Sequence, residues 1–294
     1  MMKRFKSEEG KRLIYESYNK LLTLWGVDLE QTDIETTFGS THVITVGQHE
    51  NPPLLLFHGV GDNSALMWIY NIQELARHFF VIAADTIGGP GKSEPNEHYF
   101  KSFTQAQWID DILNAFNIDS AYIAGVSNGA YLTQHYAMKR PERVPKIVCM
   151  SGSIACKSAP NPLFRMMKVF LPEALIPTEK NARKLLRKMC GPNSTVFENN
   201  QELMRHWVYL LKYFNNRAMM SHKIVRFGDN EIATIRDKAL FLLGDCDRLS
   251  YHDAAIKAFQ EHRLNYKIVQ NAGHALNHEQ ADLINGEIVR FLLS

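Results

Sequence analysis

Six short stretches of the chain are almost wholly apolar: Leu54 to Phe57, Phe79 to Ala84, Ala121 to Ala124, Ile147 to Met150, Ala239 to Leu243 and Tyr266 to Val269. Runs without polar alternation belong to strands covered on both faces, as in a parallel sheet with helices above and below. Two alternating runs precede them, Ile34 to Phe38 and His42 to Val46, and Gly39-Ser40 between them reads as the turn of a hairpin. Helical spacing separates the strands. From Ser7 to Trp25, Leu13, Ile14, Tyr18, Leu21, Leu22 and Trp25 share a face. From Ser102 to Phe116, Ala106, Ile109, Leu113 and Phe116 do so, with Ser102 and Gln105 spaced as a capping box. The pattern predicts an α/β fold: an eight-stranded, mostly parallel sheet flanked by helices, with an antiparallel first pair and right-handed crossovers.

The alternation stops between residues 153 and 236. That segment opens near Pro160-Asn161-Pro162, is helical in pattern and holds no convincing buried strand. It is expected to form a helical cap inserted into a core made of residues 1–152 and 237–294. Methionines and aromatics crowd it (Phe164, Met166, Met167, Phe170, Trp207 and Met219 among them), enough for a small core and for an adaptable apolar pocket. Lys180, Arg183, Lys184, Arg187 and Lys188 cluster on one helix, which reads as a solvated face. From Ile154 through Arg236 the net charge is +8, against −6 for the remainder.

Bulk composition narrows the classes. The 294 residues are 45% apolar and 22% charged, with a formal net charge of +2. That balance is ordinary for a globular enzyme and gives no footing for nucleic acid. No apolar run reaches the roughly 18 residues of a membrane span, and the basic start Met1 to Lys6 lacks the apolar core of a secretory signal. Cys149, Cys156, Cys190 and Cys246 are scattered without C-x-x-C spacing. Structural zinc and a disulfide framework are therefore not expected, and a reducing cytoplasm fits.

The chemistry centres on Gly125-Val126-Ser127-Asn128-Gly129, a G-x-S-x-G between a predicted strand and a predicted helix. A strand that turns sharply into a helix pushes the central serine hydroxyl out at the top of the sheet, and the flanking glycines allow the close approach. Serine needs a base within hydrogen-bond reach and a third group to orient that base. His274 follows the last strand, where ligands bind in open α/β sheets. The competing His278 is expected to begin a final helix over Glu279 to Leu293. Asp245 and Asp247 both leave the preceding strand. Asp247 is favoured because an acid three residues after Gly244 can reach back to the histidine loop, whereas Asp245 suits loop amides or Arg248. Two N–H groups can form an oxyanion hole: that of Asn128, and that of Val60 in the loop His58-Gly59-Val60-Gly61-Asp62-Asn63. His58, Asp85 and Gly88 to Gly91 read as structural, and Asp62 and Asn63 as caps for a helix near Ser64.

The order Ser127, Asp247, His274, with a His-Gly-x-Gly loop upstream, resembles the α/β-hydrolase superfamily over nearly the whole chain. Ser7 to Gly10 and Thr41 to Ile44 look like a bacterial subgroup of capped carboxylesterases. Asn128 departs from the small or apolar residue often found after the nucleophile. The resemblance implies a serine hydrolase without a cofactor, acting on a small, uncharged, apolar ester through acyl transfer to Ser127. Carbon–carbon hydrolysis, perhydrolysis and thioester or lactone cleavage use the same scaffold, and so does a slowly hydrolysing small-molecule receptor. Relatives that act as dehalogenases or epoxide hydrolases carry aspartate where Ser127 stands.

Overall fold

The computed structural model describes residues 2–294. Its strands are β1 (Leu29–Thr36), β2 (Gly39–Val46), β3 (Pro53–Phe57), β4 (Phe80–Ala84), β5 (Glu94–Pro95), β6 (Tyr122–Val126), β7 (Ile147–Met150), β8 (Ala239–Gly244) and β9 (Asn265–Val269). Eight of them run in the order β1-β2-β4-β3-β6-β7-β8-β9. The two-residue β5 is a ninth strand, pairing with β2. β2 is antiparallel to β1, β4 and β5, and from β4 to β9 every pairing is parallel.

Successive residues of the central strands enter opposite cores. Leu54, Leu56, Val81, Ala83, Leu240 and Leu242 join one apolar cluster, while Leu55, Phe57, Ile82, Ala84, Phe241 and Leu243 join the other. This two-residue period is the pleat itself, and it explains runs that are apolar throughout. Because β3, β6, β7, β8 and β9 are parallel, the loops leaving their C-terminal ends gather along one edge.

Three local expectations need correction. Gly39 is not in the hairpin turn: it pairs with Thr36, so Thr37 and Phe38 make the tip. Gly39 adopts φ 125°, and a β-carbon there would run into the backbone of Glu94; close approach of β5, not turn geometry, requires the glycine. The Ser102–Gln105 capping box does not form. Ser102 ends a helix over Glu97–Ser102, and a separate helix, Gln105–Ala115, starts after Thr104 without a side-chain cap. Gln105 instead donates to the carbonyl of Lys223 at 2.9 Å. The final helix spans Ala281–Leu293, and His278 lies in a short preceding helix, Leu276–Glu279.

Between β7 and β8 the described residues form no strand of the sheet. They contain the helices Leu163–Ala174, Glu179–Met189, Thr195–Glu198, Gln201–Tyr213 and Asp229–Ala233. The basic helix Glu179–Met189 is not merely solvated. Lys184 and Lys188 hold the buried Glu173 at 2.9 and 2.5 Å, Arg187 pairs with Glu198 and Arg183 with Glu179.

The backbone packs with no room for a side chain where β6 passes into the helix Asn128–Lys139. A β-carbon on Gly129 would strike the carbonyl of Phe57 on β3, and one on Gly125 would strike Gly129. Backbone cannot yield as a flexible side chain does, so Gly129→Ala is expected to cost about 3 kcal/mol or more. Gly286 in the final helix is exposed with nothing within 4 Å of the added carbon. Gly286→Ala should therefore stabilise by about 0.5–1 kcal/mol. Urea midpoints of the two variants check both signs.

Candidate active site

Ser127 sits at the end of β6 with φ 57° and ψ −113°, a backbone conformation that non-glycine residues rarely hold. Such strain costs about 1–3 kcal/mol and persists only where the surroundings impose it. Here the Ser127 N–H is anchored to the Met150 carbonyl of β7 at 2.8 Å, and the glycine contacts above hold the chain on both sides. The hydroxyl is left beside the first turn of Asn128–Lys139, whose free N–H groups favour negative charge.

Asp247 and His274 meet across the ends of β8 and β9. His274 Nδ1 lies 2.9 Å from Asp247 Oδ2, with both residues buried. Asp247 also accepts from the Ser250 hydroxyl at 2.6 Å and from the Leu249 N–H at 2.8 Å. Burial pushes the Asp247 carboxyl up, but the charge and hydrogen bond of His274, with those from Ser250 and Leu249, outweigh it and hold the group below the usual carboxylate range. Asp245 turns away and accepts from the Ala272 N–H at 3.3 Å.

Ser127 and His274 both line a cavity of about 420 Å³. Among the described residues, no hydrogen bond joins the serine hydroxyl to the imidazole, a looseness common in sites without substrate. Val60 and Asn128 line the same cavity, and neither backbone N–H has an acceptor among the described residues. The other candidates are committed elsewhere. His58 Nδ1 donates to the Gly59 carbonyl and its Nε2 accepts from the Thr86 N–H, both at 2.8 Å. His278 Nε2 donates to the Leu66 carbonyl at 3.0 Å, and burial lowers its pKa to about 4. Asn63 caps the helix Ser64–Met67. Asp85 accepts from the Ser64 and Lys92 N–H groups.

Sequence reasoning missed three supports of the histidine loop. The Ser151 hydroxyl donates to the His274 carbonyl at 2.7 Å from the end of β7. The His274 N–H reaches the Met189 carbonyl. Glu279 accepts from the Gly273 N–H with one oxygen and from the Gly191 N–H with the other, at 2.8 and 2.6 Å. No pattern signals Ser151, because its partner is a backbone atom 123 positions away. Glu279 stands in a short stretch that reads only as helix start.

The methionines and aromatics of residues 153–236 divide by role. Met166, Phe170, Met189, Trp207 and Met219 line the cavity. Met204 and Phe214 are buried in a core, while Phe164, Met167 and Met220 are exposed. Asn128 also brings its carboxamide to the cavity wall, with Nδ2 buried and unpartnered.

A nine-stranded sheet with this order, carrying a strained serine at a strand-to-helix turn near an Asp–His pair, is the α/β-hydrolase fold, and the chain is an esterase-like hydrolase. The family model for the alpha/beta hydrolase fold matches residues 52–176. Carboxylesterase YbfK of Bacillus subtilis is 26% identical over 291 residues, covering 97% of this chain and 95% of the relative. Its crystal structure, described as CesB, aligns with a TM-score of 0.80 over 97% of this chain and 98% of its own. Naproxen esterase (carboxylesterase NP) from Bacillus subtilis, at 25% identity, aligns with a TM-score of 0.83 over 98% and 99% of the two chains. No helix among the described residues is long and apolar enough to cross a membrane.

Asp62 faces the cavity two residues after Val60. Desolvation raises its pKa to about 7, against the hydrogen bond it accepts from the Asn63 N–H. Between about pH 4 and 7 the folded chain thus keeps a proton there that the unfolded chain has released. Stability falls as pH rises across that window and is flat in this group above it. Asp62→Asn keeps an acceptor for Asn63 without the charge, so its stability relative to the parent should grow from pH 5 to pH 8. Denaturant midpoints at the two pH values measure the difference; an unchanged gap would place an ordinary carboxyl at Asp62.

Proposed function

We propose that the chain hydrolyses uncharged, apolar carboxylic esters through an acyl-enzyme on Ser127, with His274 as general base and Asp247 as its orienting acid. The observation that carries this reading is the 2.9 Å contact of His274 Nδ1 with Asp247. It leaves Nε2 as the basic nitrogen in a cavity that also receives Ser127. In the first half-reaction His274 Nε2 takes the hydroxyl proton as Ser127 Oγ attacks the ester carbonyl, and then delivers it to the leaving alcohol. In the second, water gives its proton to Nε2 and attacks the acyl carbon, and the proton returns to Ser127 as the carboxylic acid departs. The N–H groups of Val60 and Asn128 would receive the developing oxyanion, and a dry wall strengthens that interaction. Residues 153–236 act in this reading as the cap that roofs the cavity.

Ser127→Ala should lower ester turnover by several orders of magnitude, and Asp247→Asn by roughly 10⁴-fold because it leaves the wrong imidazole tautomer. Asp245→Asn should leave the rate nearly unchanged. Retained activity in Ser127→Ala would exclude the covalent route. Because Met166, Phe170 and Trp207 offer an apolar wall, each added acyl methylene should raise kcat/KM, by up to about 0.8 kcal/mol of binding, until the cavity is full. A p-nitrophenyl ester series from acetyl to decanoyl reads this out as a rise followed by a fall. A preference for carboxylate-bearing esters over neutral ones would overturn the assignment of an uncharged substrate.

A further inference from the structure

The helix Leu163–Ala174 is apolar on two opposite faces. Met166, Val169 and Phe170 point inward, toward the cavity or the core, together with the buried Glu173. Phe164, Met167 and Leu171 lie on the other side at spacings of three and four, and Leu175 continues the row. They are exposed by 73%, 48%, 41% and 73%, with Ile176 beside them at 64%. A surface helix usually carries its apolar residues on one face, and nothing among the described residues covers the outward row. Singly exposed apolar residues need no explanation, but a contiguous row marks a contact surface.

A second exposed apolar stretch comprises Met220, Ile224 and Val225. Ile224 and Arg226 line the cavity, as Met166 and Phe170 of the helix do. Arg226, next to the second stretch, donates to the carbonyls of Cys156 and Pro160 just ahead of the helix, both at 3.3 Å.

Basic residues outnumber acidic ones around this rim, where the exposed acid Glu179 is paired with Arg183. No acidic residue occurs between Glu142 and Glu173 or between Glu202 and Asp229. Lys168 is exposed on the outward face of the helix, and Lys180 follows it. Arg217 and Lys223 flank the second stretch. None of these four cations is in an ion pair among the described residues, and Glu173, the one acid of the helix, is buried beneath Lys184 and Lys188. Apolar side chains projecting from a basic surface are the composition of an interfacial element that sinks its apolar face into the headgroup boundary and meets anionic lipid with its cations.

We propose that this rim docks the protein on an anionic lipid surface, with the cavity that Met166, Phe170 and Ile224 line turned toward the bilayer. Binding through it is independent of the hydrolytic reading, since none of Phe164, Leu175, Ile176, Lys168 and Lys180 lines the cavity. An apolar ester would then reach Ser127 from the lipid phase without crossing water.

The experiment is co-sedimentation of the full chain with vesicles of phosphatidylcholine alone and of phosphatidylcholine with 30% phosphatidylglycerol, at low and high salt. The expected result is binding at least tenfold stronger to the anionic vesicles, falling with salt. Lys168→Glu with Lys180→Glu should remove most of that preference, each cation near the surface being worth roughly fivefold. The triple variant Phe164→Ser, Leu175→Ser, Ile176→Ser should lose binding at least tenfold, with turnover of a soluble acetyl ester unchanged. Equal or absent binding to both vesicle types would overturn the proposal, as would full binding by the triple variant. Light scattering on the free protein supplies the remaining outcome: a dimer that the triple variant converts to monomer would assign the apolar row to a second copy and overturn lipid docking.

Discussion

The backbone of Ser127 is the constraint on which the site depends. Its positive φ is tolerable only because β6 and the following helix are clamped together, with Gly125 against Gly129 and Gly129 against the Phe57 carbonyl. The same clamp decides where everything else must stand. β3 has to lie close enough for its carbonyl to touch the helix, which brings the loop from His58 to Asn63 to the cavity that Ser127 lines. β7 has to supply the Met150 carbonyl that fixes the Ser127 N–H. Strain of this size is small against the burial of two full apolar clusters on the faces of the sheet. The core can hold the strain because the strands around it are too tightly packed to relax.

The partner of that serine is held less by the sheet than by what lies above it. Asp247 grips one edge of the His274 ring, but the loop that carries the ring is bonded to Ser151 on one side and to the Met189–Gly191 segment on the other. Glu279 closes the arrangement by accepting from Gly273 and Gly191 together. The end of the basic helix is thereby wired to the histidine loop through backbone groups. A change in how that helix sits would be felt at the imidazole before it was felt at the serine. The cavity wall and the His274 loop are in this sense one mechanical unit, whereas Ser127 belongs to the sheet.

Much of this was legible in residue order alone, for identifiable reasons. A fully buried parallel strand has to be apolar at every position, so Leu54 to Phe57 and Ala239 to Leu243 announce themselves. The chain order of Ser127, Asp247 and His274 follows from which strand ends at which edge, and the spacing after Gly244 separates Asp247 from Asp245. Glycine was the misleading letter. At Gly39 it read as a turn, while its actual reason is the backbone of Glu94, a partner from a distant part of the chain. Ser102 and Gln105 matched a local cap, but Gln105 is drawn to Lys223, and Phe103 breaks the helix by packing on Phe38 with ring centres 5.0 Å apart. Ser151 and Glu279 left no trace because a side chain that bonds a remote backbone atom imposes no periodicity.

The charge asymmetry shows how far composition reaches and where geometry takes over. A net +8 between Ile154 and Arg236 reads in sequence as one basic face. In three dimensions it separates into two populations. Lys184, Lys188, Arg183 and Arg187 are consumed internally by Glu173, Glu179 and Glu198, and they brace one helix against its neighbours. Lys168, Lys180, Arg217 and Lys223 have no acidic partner among the described residues; Lys168 stands beside the exposed apolar side chains of its helix, Arg217 and Lys223 flank Met220, Ile224 and Val225, and Lys180 opens the basic helix itself. A solvated surface scatters charge of both signs, while a surface made only for solubility has no use for Phe164 and Leu175 in the open. Free cations and uncovered apolar groups coincide near a cavity that Met166, Phe170, Met189 and Trp207 also line, so an apolar molecule arriving from a lipid surface would meet apolar side chains on its way to Ser127.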